Sequence, residues 1–347
     1  TDLRLVFTVP KSMGKFGGET DNWMWPRQTC DFSVFRIYAD KNNRPAAYNK
    51  DNVPYHPKHW APVSLQGYKQ GDFSMTMGYP GSTSRYLSSY GIRERRDALN
   101  APRAQVRGVK QDVMTRHMRA SEAVRIKYDS KFAQSANYWK NSIGMNKCID
   151  SIGLIAQKQR YEDIIRHWQD STSYLKGQLD FDKMARLYNE RFEPRKAAMY
   201  FQETFLRTNE LTDRALKALT SMTKKDKKGD YVTFADNSNT WDASLDKDVQ
   251  AVLLKNYREH VDAKYLPAFY QIIDKKFGGD YQKYVNYLWE TSALMKKDAK
   301  VYVTKKAIKK DAGLQYGAQL KAMREVFNHA LDEIGRASCR ERVCQYV

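Results

Sequence analysis

Cysteine is scarce in this chain of 347 residues. The sequence contains four cysteines, of which Cys339 and Cys344 lie close to the last residue, whereas Cys30 and Cys148 lie far from each other. Cysteines with this spacing give neither a zinc-binding pattern nor a disulfide framework. They therefore do not fix the redox compartment of the protein.

Long apolar runs are also missing from the sequence. A helix that crosses a bilayer needs about 20 consecutive apolar residues, and no uncharged run approaches that length. The chain begins at Thr1 without a positively charged segment that leads into an apolar stretch, so no signal peptide is visible. The sequence predicts no membrane span.

Several common catalytic and metal-binding motifs are absent as well. The glycines at positions 14, 17 and 18 are not followed by Gly-Lys-Ser/Thr, so a phosphate-binding loop is poorly supported. Ser82 lacks the Gly-x-Ser-x-Gly surroundings of a nucleophile elbow. His56 and His59 flank a proline and have no cysteine nearby, which makes a zinc site weak. We therefore expect neither a metal nor a cofactor.

What the chain does contain is enough apolar material for a core, together with an excess of positive charge. Hydrophobic residues make up 41% and aromatic residues 13%, and the formal net charge is +19. The length allows two domains or one domain with a large insertion. Lysine clusters at 224–228 and 305–310 are ordinarily solvated. With the charge excess they nevertheless support an alternative function, a basic helical module that binds nucleic acid or an anionic surface.

Two regions differ in their periodicity. The first ninety or so residues favour short strands separated by turns, at 3–9, 31–39, 73–79 and 85–90. Both faces of the 31–39 segment carry bulky apolar side chains, which predicts a strand buried between two layers. From Pro102 onward the apolar spacing is helical. After a first helix that covers positions 106–124, further helices are predicted at about 138–170, 175–189, 195–222, 245–277, 280–295 and 313–333, with one weak β-like stretch at 231–234.

The last residues break the helical pattern. Apolar residues keep helical spacing up to Glu333, whereas residues 334–343 resemble the in-frame translation of a common sequencing adapter. We therefore set aside residues 334–347 as an artefact and exclude them from the interpretation of fold and function.

The most informative segment lies between residues 17 and 32. It reads Gly-Gly-Glu-Thr-Asp-Asn-Trp-Met-Trp-Pro-Arg-Gln-Thr-Cys-Asp-Phe. A second run, Met-Gly-Tyr-Pro-Gly, occupies 77–81, and a third, Asn-Tyr-Trp-Lys-Asn-Ser-Ile-Gly-Met, occupies 137–145. In this order the three runs resemble the bacterial dipeptidyl-peptidase 7/11-type serine peptidases (serine-peptidase family forty-six), and weaker similarity extends to about Glu333.

This resemblance implies an α+β multidomain fold, in which part of a chymotrypsin-like double β-barrel is followed by a large all-α inserted cap domain. Residues 1–92 would belong to the barrel and residues 93–333 to the cap. The chain would be an internal part of a longer protein, with the triad histidine before Thr1 and the nucleophilic serine after the adapter-like tail. None of the six histidines present occupies the family's catalytic position.

The resemblance also implies an activity: removal of dipeptides from oligopeptides with a free amino terminus, by acyl-enzyme chemistry without a cofactor. No nucleic acid partner and no membrane span are expected under this interpretation, and a homodimer is left open. The implied location is the periplasm or the cell surface.

Four residues are assigned roles by the resemblance. Asp31 would be the triad aspartate, since the histidine base needs a buried carboxylate to fix its tautomer. Asn22, Trp23 and Asn137 would bind the substrate's ammonium group, which is costly to bury without acceptors. The competing interpretations are an ordinary strand-edge or turn carboxylate for Asp31, a turn residue for Asn22, core packing for Trp23 and an exposed helix or loop position for Asn137.

One position departs from the family pattern. Cys30 stands where the family usually has glycine, directly before Asp31. Glycine there would permit a backbone angle or a close approach that cysteine resists. The backbone conformation at Cys30 is therefore compared below with the one that glycine would permit.

Overall fold

The protein is described by a computed structural model. It describes residues 2–340 except 19, 25, 27, 76–83, 85, 173–179, 207, 222–232, 237–239, 297 and 298. The chain divides into two compact units, Thr1–Arg85 and Tyr86–Val347. This division falls slightly before the predicted boundary after residue 92.

The first unit is built on a small antiparallel sheet. Its elements are β1 (Asp2–Thr8), helix α1 (Lys11–Gly14), β2 (Ser33–Ala39) and β3 (Val53–Pro54), and the strand order is β1-β2-β3. At the start of β1 the buried Asp2 accepts hydrogen bonds from Arg4 (2.7 Å) and Asn52 (2.9 Å). These two bonds, the Arg4 bond foremost, lower the pKa of Asp2 to about 2. The hydrogen bond from Asn52 therefore links the start of β1 to the loop that precedes β3.

The prediction of strands β1 and β2 is confirmed, but the predicted burial of β2 is not. Phe35 is 56% exposed and Val34 is 43% exposed, although these two side chains point to opposite faces of β2. Among the described residues no second layer covers either face. The expectation of a strand buried between two layers is therefore wrong for this chain.

The two later strand predictions in this region also fail where they can be examined. Residues 73–75 form no strand, and residues 76–79 lie outside the described part of the chain. The segment predicted as a strand at 85–90 instead leads into helix α2 (Ser89–Arg93). The reason is a local one: the Ser88 hydroxyl accepts a hydrogen bond from the Gly91 amide at 3.2 Å and caps the helix.

The second unit is almost entirely helical. After α2 a π-helical segment, Glu94–Asn100, continues directly into the first long helix. The remaining α-helices are α3 (Ala101–Ala120), α4 (Glu122–Ser151), α5 (Leu154–Thr172), α6 (Phe181–Phe205), α7 (Glu210–Ser221), α8 (Ala243–His260), α9 (Phe269–Phe277), α10 (Tyr281–Thr291), α11 (Lys305–Lys310) and α12 (Ala312–Arg340). A two-stranded antiparallel sheet, β4 (Thr233–Asp236) with β5 (Ala299–Tyr302), joins them.

Helix boundaries differ from prediction at several places. The expected helix 138–170 divides between α4 and α5, and α4 already begins at Glu122. Helix α6 continues through Pro194, whereas two separate helices, 175–189 and 195–222, were expected. The expected helix 195–222 ends at Phe205, and Asn209 caps the next helix through the Thr212 amide at 2.9 Å. The expected helix 245–277 divides between α8 and α9. Helix α12 continues past Glu333 to Arg340.

Aromatic side chains form the core of the second unit. The Phe205 ring lies 4.9 Å from the Tyr257 ring and 6.0 Å from the Phe269 ring, and Phe269 lies 4.9 Å from Tyr316. All four side chains are buried. Burying an aromatic side chain stabilises the fold both by the area removed from water and by edge-to-face contacts. These contacts join α6, α8, α9 and α12 around one centre.

The chain as a whole is mostly helical, with small sheets. Among the described helices, none is both long enough and apolar enough to cross a membrane.

Candidate functional site

The segment that carries the first motif begins with a glycine turn. Gly17 has a φ of +75°, in the left-handed region that favours glycine. A Cβ at Gly17 would lie 1.6 Å from Oδ2 of Asp21, so the carboxylate packs directly against the glycine. The Asp21 carbonyl then accepts a hydrogen bond from the Met24 amide at 3.0 Å. Only glycine at position 17 allows this turn.

Trp23 follows in an unusual backbone conformation. Its φ is +60°, which is rare for a bulky side chain and costs about 1–3 kcal/mol. Its side chain is 51% exposed, so within this chain it does not fill a core. The neighbouring Asn22 is half-buried. Strained residues of this kind cluster at functional sites, which favours a binding role for Trp23 over core packing.

Asp31 lies between α1 and β2, two residues before the strand begins. A Cβ added at Gly14 would lie 3.3 Å from Oδ1 of Asp31, so the carboxylate sits beside the end of α1. The Cys30 amide donates a hydrogen bond to the Met13 carbonyl at 3.2 Å, which anchors the same segment. Asp31 is exposed within this chain, whereas an orienting carboxylate is buried beneath its histidine.

Cys30 causes no backbone strain. Among the described residues, Trp23 and Asn43 are the non-glycine positions with a positive φ. Cys30 therefore has a φ that any residue adopts, and glycine is not required there for its backbone freedom. The thiol is free and exposed.

Asn137 lies in the second unit, near the middle of α4. It is exposed and follows the buried residues Ser135 and Ala136. Tyr138 beside it is 49% exposed. Trp139 packs toward Gly108 on α3, where a Cβ would lie 3.4 Å from the indole Nε1. The third motif is therefore one stretch of a long helix, held against α3 by its tryptophan.

The four residues assigned roles thus lie in two places. Asn22, Trp23 and Asp31 share the segment between α1 and β2 in the first unit, and Asn137 lies on α4 in the second. Sequence analysis missed the left-handed backbone at Trp23, because no residue pattern predicts a positive φ at tryptophan. The second motif, at 77–81, lies outside the described residues.

The other candidate groups show no metal-binding arrangement. Within the described residues, no group of three or more His, Cys, Asp or Glu side chains could hold a metal ion. His56 and His59 are both exposed.

Basic residues of the second unit are often paired with acids. Such ion pairs join Arg191 to Glu94, Arg214 to Glu210 and Arg258 to Asp274. The lysines of α11 are exposed, and the cluster at 224–228 lies outside the described residues. This distribution gives no support to the nucleic-acid alternative, which requires a basic surface with interleaved aromatic side chains.

Comparison with known proteins adds a family and relatives. The sequence profile of the family described as Peptidase S46 matches residues 1–342. The chain is 43% identical over 297 residues to Dipeptidyl-peptidase 7 of Porphyromonas gingivalis, covering 84% of this chain and 42% of that protein. It is 35% identical over 342 residues to the Asp/Glu-specific dipeptidyl-peptidase of Capnocytophaga gingivalis, covering 93% of this chain and 47% of that protein.

A solved structure is similar along almost the whole chain. The crystal structure of Porphyromonas endodontalis DPP11 in complex with dipeptide Arg-Glu matches with a TM-score of 0.73 and 26% identity, over 99% of this chain and 51% of that chain. This chain spans about half the length of the relatives it matches.

Proposed function

Because this chain belongs to the peptidase S46 family, we propose that the full-length protein is a serine-type dipeptidyl-peptidase that releases dipeptides from the free amino end of oligopeptides. The observation that carries the proposal is the family match over residues 1–342. The names of the relatives, two dipeptidyl-peptidases and a DPP11 with a bound dipeptide, agree with it.

The proposed chemistry is acyl transfer through a Ser-His-Asp triad. The serine hydroxyl attacks the carbonyl carbon of the second residue of the substrate, while the histidine takes the hydroxyl proton and passes it to the leaving amine. Water then attacks the acyl-enzyme and releases the dipeptide. Asp31 supplies the carboxylate that holds the histidine in the correct tautomer. The serine and histidine come from the rest of the full-length protein.

The exposure of Asp31 is consistent with that division of the triad. Its carboxylate is fixed by the contact of its segment with α1, through the Cys30 amide and the Met13 carbonyl. A histidine from the rest of the protein would cover this exposed carboxylate and provide the buried hydrogen bond that the mechanism needs.

Recognition of the ammonium group is assigned to Asn22, Trp23 and Asn137. The two amide oxygens accept hydrogen bonds from the ammonium, which is expensive to desolvate without such partners. The exposed indole of Trp23 closes the pocket and offers its face to the cation. The strained backbone at Trp23 supports this role, since such strain persists where it serves a function.

We also propose how the chain is divided between a β-barrel and a helical cap. The open β1-β2-β3 sheet, with apolar side chains exposed on both faces, would form part of a chymotrypsin-like double β-barrel within residues 1–92. Residues 93–333 would form the helical cap, and residues 334–347 an adapter-derived tail. A location in the periplasm or at the cell surface follows from the resemblance, and a homodimer is compatible with it.

The activity is tested by the dependence on a free amino end. The full-length protein is assayed with dipeptidyl substrates that carry either a free or an acetylated amino group on the same fluorogenic leaving group. The proposal predicts cleavage of the free substrate and at least about a hundredfold lower kcat/KM for the acetylated one, about 2.7 kcal/mol of lost recognition. Equal cleavage of both would show an endopeptidase instead, and cleavage of neither would refute the peptidase assignment.

A further inference from the structure

A buried carboxylate in the helical unit joins two arginines of a neighbouring helix. Glu203 on α6 has a side chain that is 5% exposed. Its Oε1 accepts a hydrogen bond from Arg103 Nε at 2.9 Å, and its Oε2 accepts one from Arg107 Nε at 2.7 Å. Arg103 and Arg107 stand one turn apart on the same face of α3. Both carboxylate oxygens are thus used by α3.

The same arginines reach α4 on both sides of Asn137. Arg107 Nη1 donates a hydrogen bond to the Ser135 carbonyl at 3.2 Å, two residues before Asn137. The Arg107 guanidinium lies 5.0 Å from the centre of the Tyr138 ring, and the Arg103 guanidinium lies 6.0 Å from it. The charged contacts therefore run from α6 through α3 to the α4 turn that carries Asn137.

These contacts fix the orientation of the arginine side chains as well as their distance from Glu203 and α4. A guanidinium is a rigid planar donor, so its orientation is set when two of its N–H groups and its face are all engaged. A buried carboxylate is costly unless it stays paired, which favours a single arrangement of the three helices. The side chain next to these contacts, Asn137, is held by a part of α4 that has little freedom to shift.

We propose that Glu203 is a positioning residue for substrate recognition: through Arg103 and Arg107 it holds the α4 turn from which Asn137 meets the substrate's ammonium group. The inference rests on the proposed function, in which the Asn137 amide oxygen accepts a hydrogen bond from that ammonium. Hydrogen bonds weaken steeply with misalignment, and a misplacement of about 1 Å can cost about a hundredfold in rate. Loss of the Glu203 contacts therefore weakens recognition of the amine.

The test is Glu203→Gln in the full-length protein. Glutamine keeps the shape of the side chain but replaces one accepting oxygen by an NH₂ group, so one arginine loses its acceptor. Two substrates are compared: a dipeptidyl substrate with its free amine, and the desamino analogue that has hydrogen in place of the amine. We expect kcat/KM for the free-amine substrate to fall on the order of tenfold, mainly through KM, with no change for the analogue.

A matched control comes from another buried ion pair of the same unit. Glu210, on α7, accepts a hydrogen bond from the buried Arg214 of the same helix at 3.0 Å. Glu210→Gln is expected to leave the ratio of the two kcat/KM values at the parental level. An equal loss for both substrates in Glu203→Gln would mean a merely structural role and would overturn the inference.

A second variant covers the case in which Glu203→Gln does not fold. Arg107→Lys keeps the positive charge but loses the planar fork that joins Glu203 to the Ser135 carbonyl. We expect the same selective loss for the free-amine substrate. A ratio that equals the parental one would contradict the proposal.

Asn137→Ala separates this inference from the proposed function. If Asn137→Ala leaves the ratio unchanged, the amine-binding role of Asn137 fails and the positioning role fails with it. If Asn137→Ala lowers the ratio but Glu203→Gln and Arg107→Lys do not, only the positioning role fails. If both roles hold, the double variant of Glu203 and Asn137 shows no further loss beyond Asn137→Ala, because the residues act on one interaction.

Discussion

Glu162 and Ser89 are joined by two hydrogen bonds in the interior of the helical unit. Oε1 of Glu162 accepts from the Ser89 amide at 2.6 Å, and Oε2 accepts from the Ser89 hydroxyl at 2.6 Å. Ser89 opens α2, where backbone amides have no partner within the helix. The carboxylate of α5 therefore satisfies one of these amides and places a negative charge at the positive end of α2.

Replacing Glu162 by Ala is expected to destabilise the protein by about 1–3 kcal/mol, because the Ser89 amide and hydroxyl lose their acceptor while they stay buried. Urea unfolding followed by far-ultraviolet circular dichroism measures the change. The expected result is a lower midpoint with an unchanged slope. Asp163→Ala is the control on the same helix, since Asp163 is exposed. Equal midpoints for the two variants would contradict this role of Glu162.

Lys110 makes the stability depend on alkaline pH. Burial lowers the pKa of its ammonium to about 8, with Arg107 adding to the effect and Asp246 opposing it. In the unfolded chain the pKa returns to about 10.5, so between these values the unfolded state binds more protons than the folded state. The contribution of Lys110 to stability therefore rises with pH across this window, by at most about 3 kcal/mol, and is constant below it.

The measurement is the free energy of unfolding at pH values from about 7 to 9.5, below the range in which exposed tyrosines titrate. Lys110→Met is expected to abolish the rise, because methionine fills a similar volume without a charge. Lys131→Met is the control, since Lys131 is exposed. If the free energy of unfolding still rises with pH in Lys110→Met, a group other than Lys110 causes the rise.

Two adjacent glycines allow a sharp test of the turn before Trp23. Both Gly17 and Gly18 have a positive φ, of +75° and +55°. A Cβ at Gly17 meets the Asp21 carboxylate, whereas a Cβ at Gly18 has no atom within 4 Å. Alanine at either position destabilises the left-handed backbone conformation by about 1–2 kcal/mol, but only Gly17→Ala must displace Asp21.

In the full-length protein, Gly17→Ala is expected to lower kcat/KM for a free-amine dipeptidyl substrate by at least about tenfold more than Gly18→Ala. The physical reason is that the displaced Asp21 carries Asn22 and Trp23 with it. Steady-state kinetics on both variants gives the result. Equal losses would show that backbone strain alone, and not the packing of Asp21, sets the geometry of this segment.

Sequence patterns predicted β1, β2 and the helical character of the second region, because these depend on local periodicity. The strand expected at 85–90 failed for a local reason, the Ser88 cap, whereas other predictions failed where a contact distant in sequence decides the outcome. Separate helices were expected at 175–189 and 195–222, yet α6 continues through Pro194, with Met199, Tyr200 and Phe201 buried after it. Proline costs about 3 kcal/mol within a helix, and this packing offsets it.

In the candidate site, too, features that are local in sequence could be predicted and contacts that are distant in sequence could not. Asn22, Trp23, Asp31 and Asn137 were proposed from the sequence because their motifs are contiguous. The contacts of Glu203 were not predicted, since its partners on α3 are about a hundred positions away. The spacing of Arg103 and Arg107 at one helical turn was the available signal, and it did not identify the acid between them. The exposure of Asp31 could not be predicted either, because burial depends on which chain segments cover the sheet.

The replacement of Asp31 by Asn in the full-length protein tests the central claim most directly. Asparagine keeps the size of the side chain but cannot hold the histidine in its working tautomer, so kcat should fall roughly 10⁴-fold. The thermal midpoint should stay near the parental value, and Asp51→Asn, an exposed residue of the same unit, should retain full turnover. The account predicts this selective loss, whereas near-parental turnover in Asp31→Asn would contradict it.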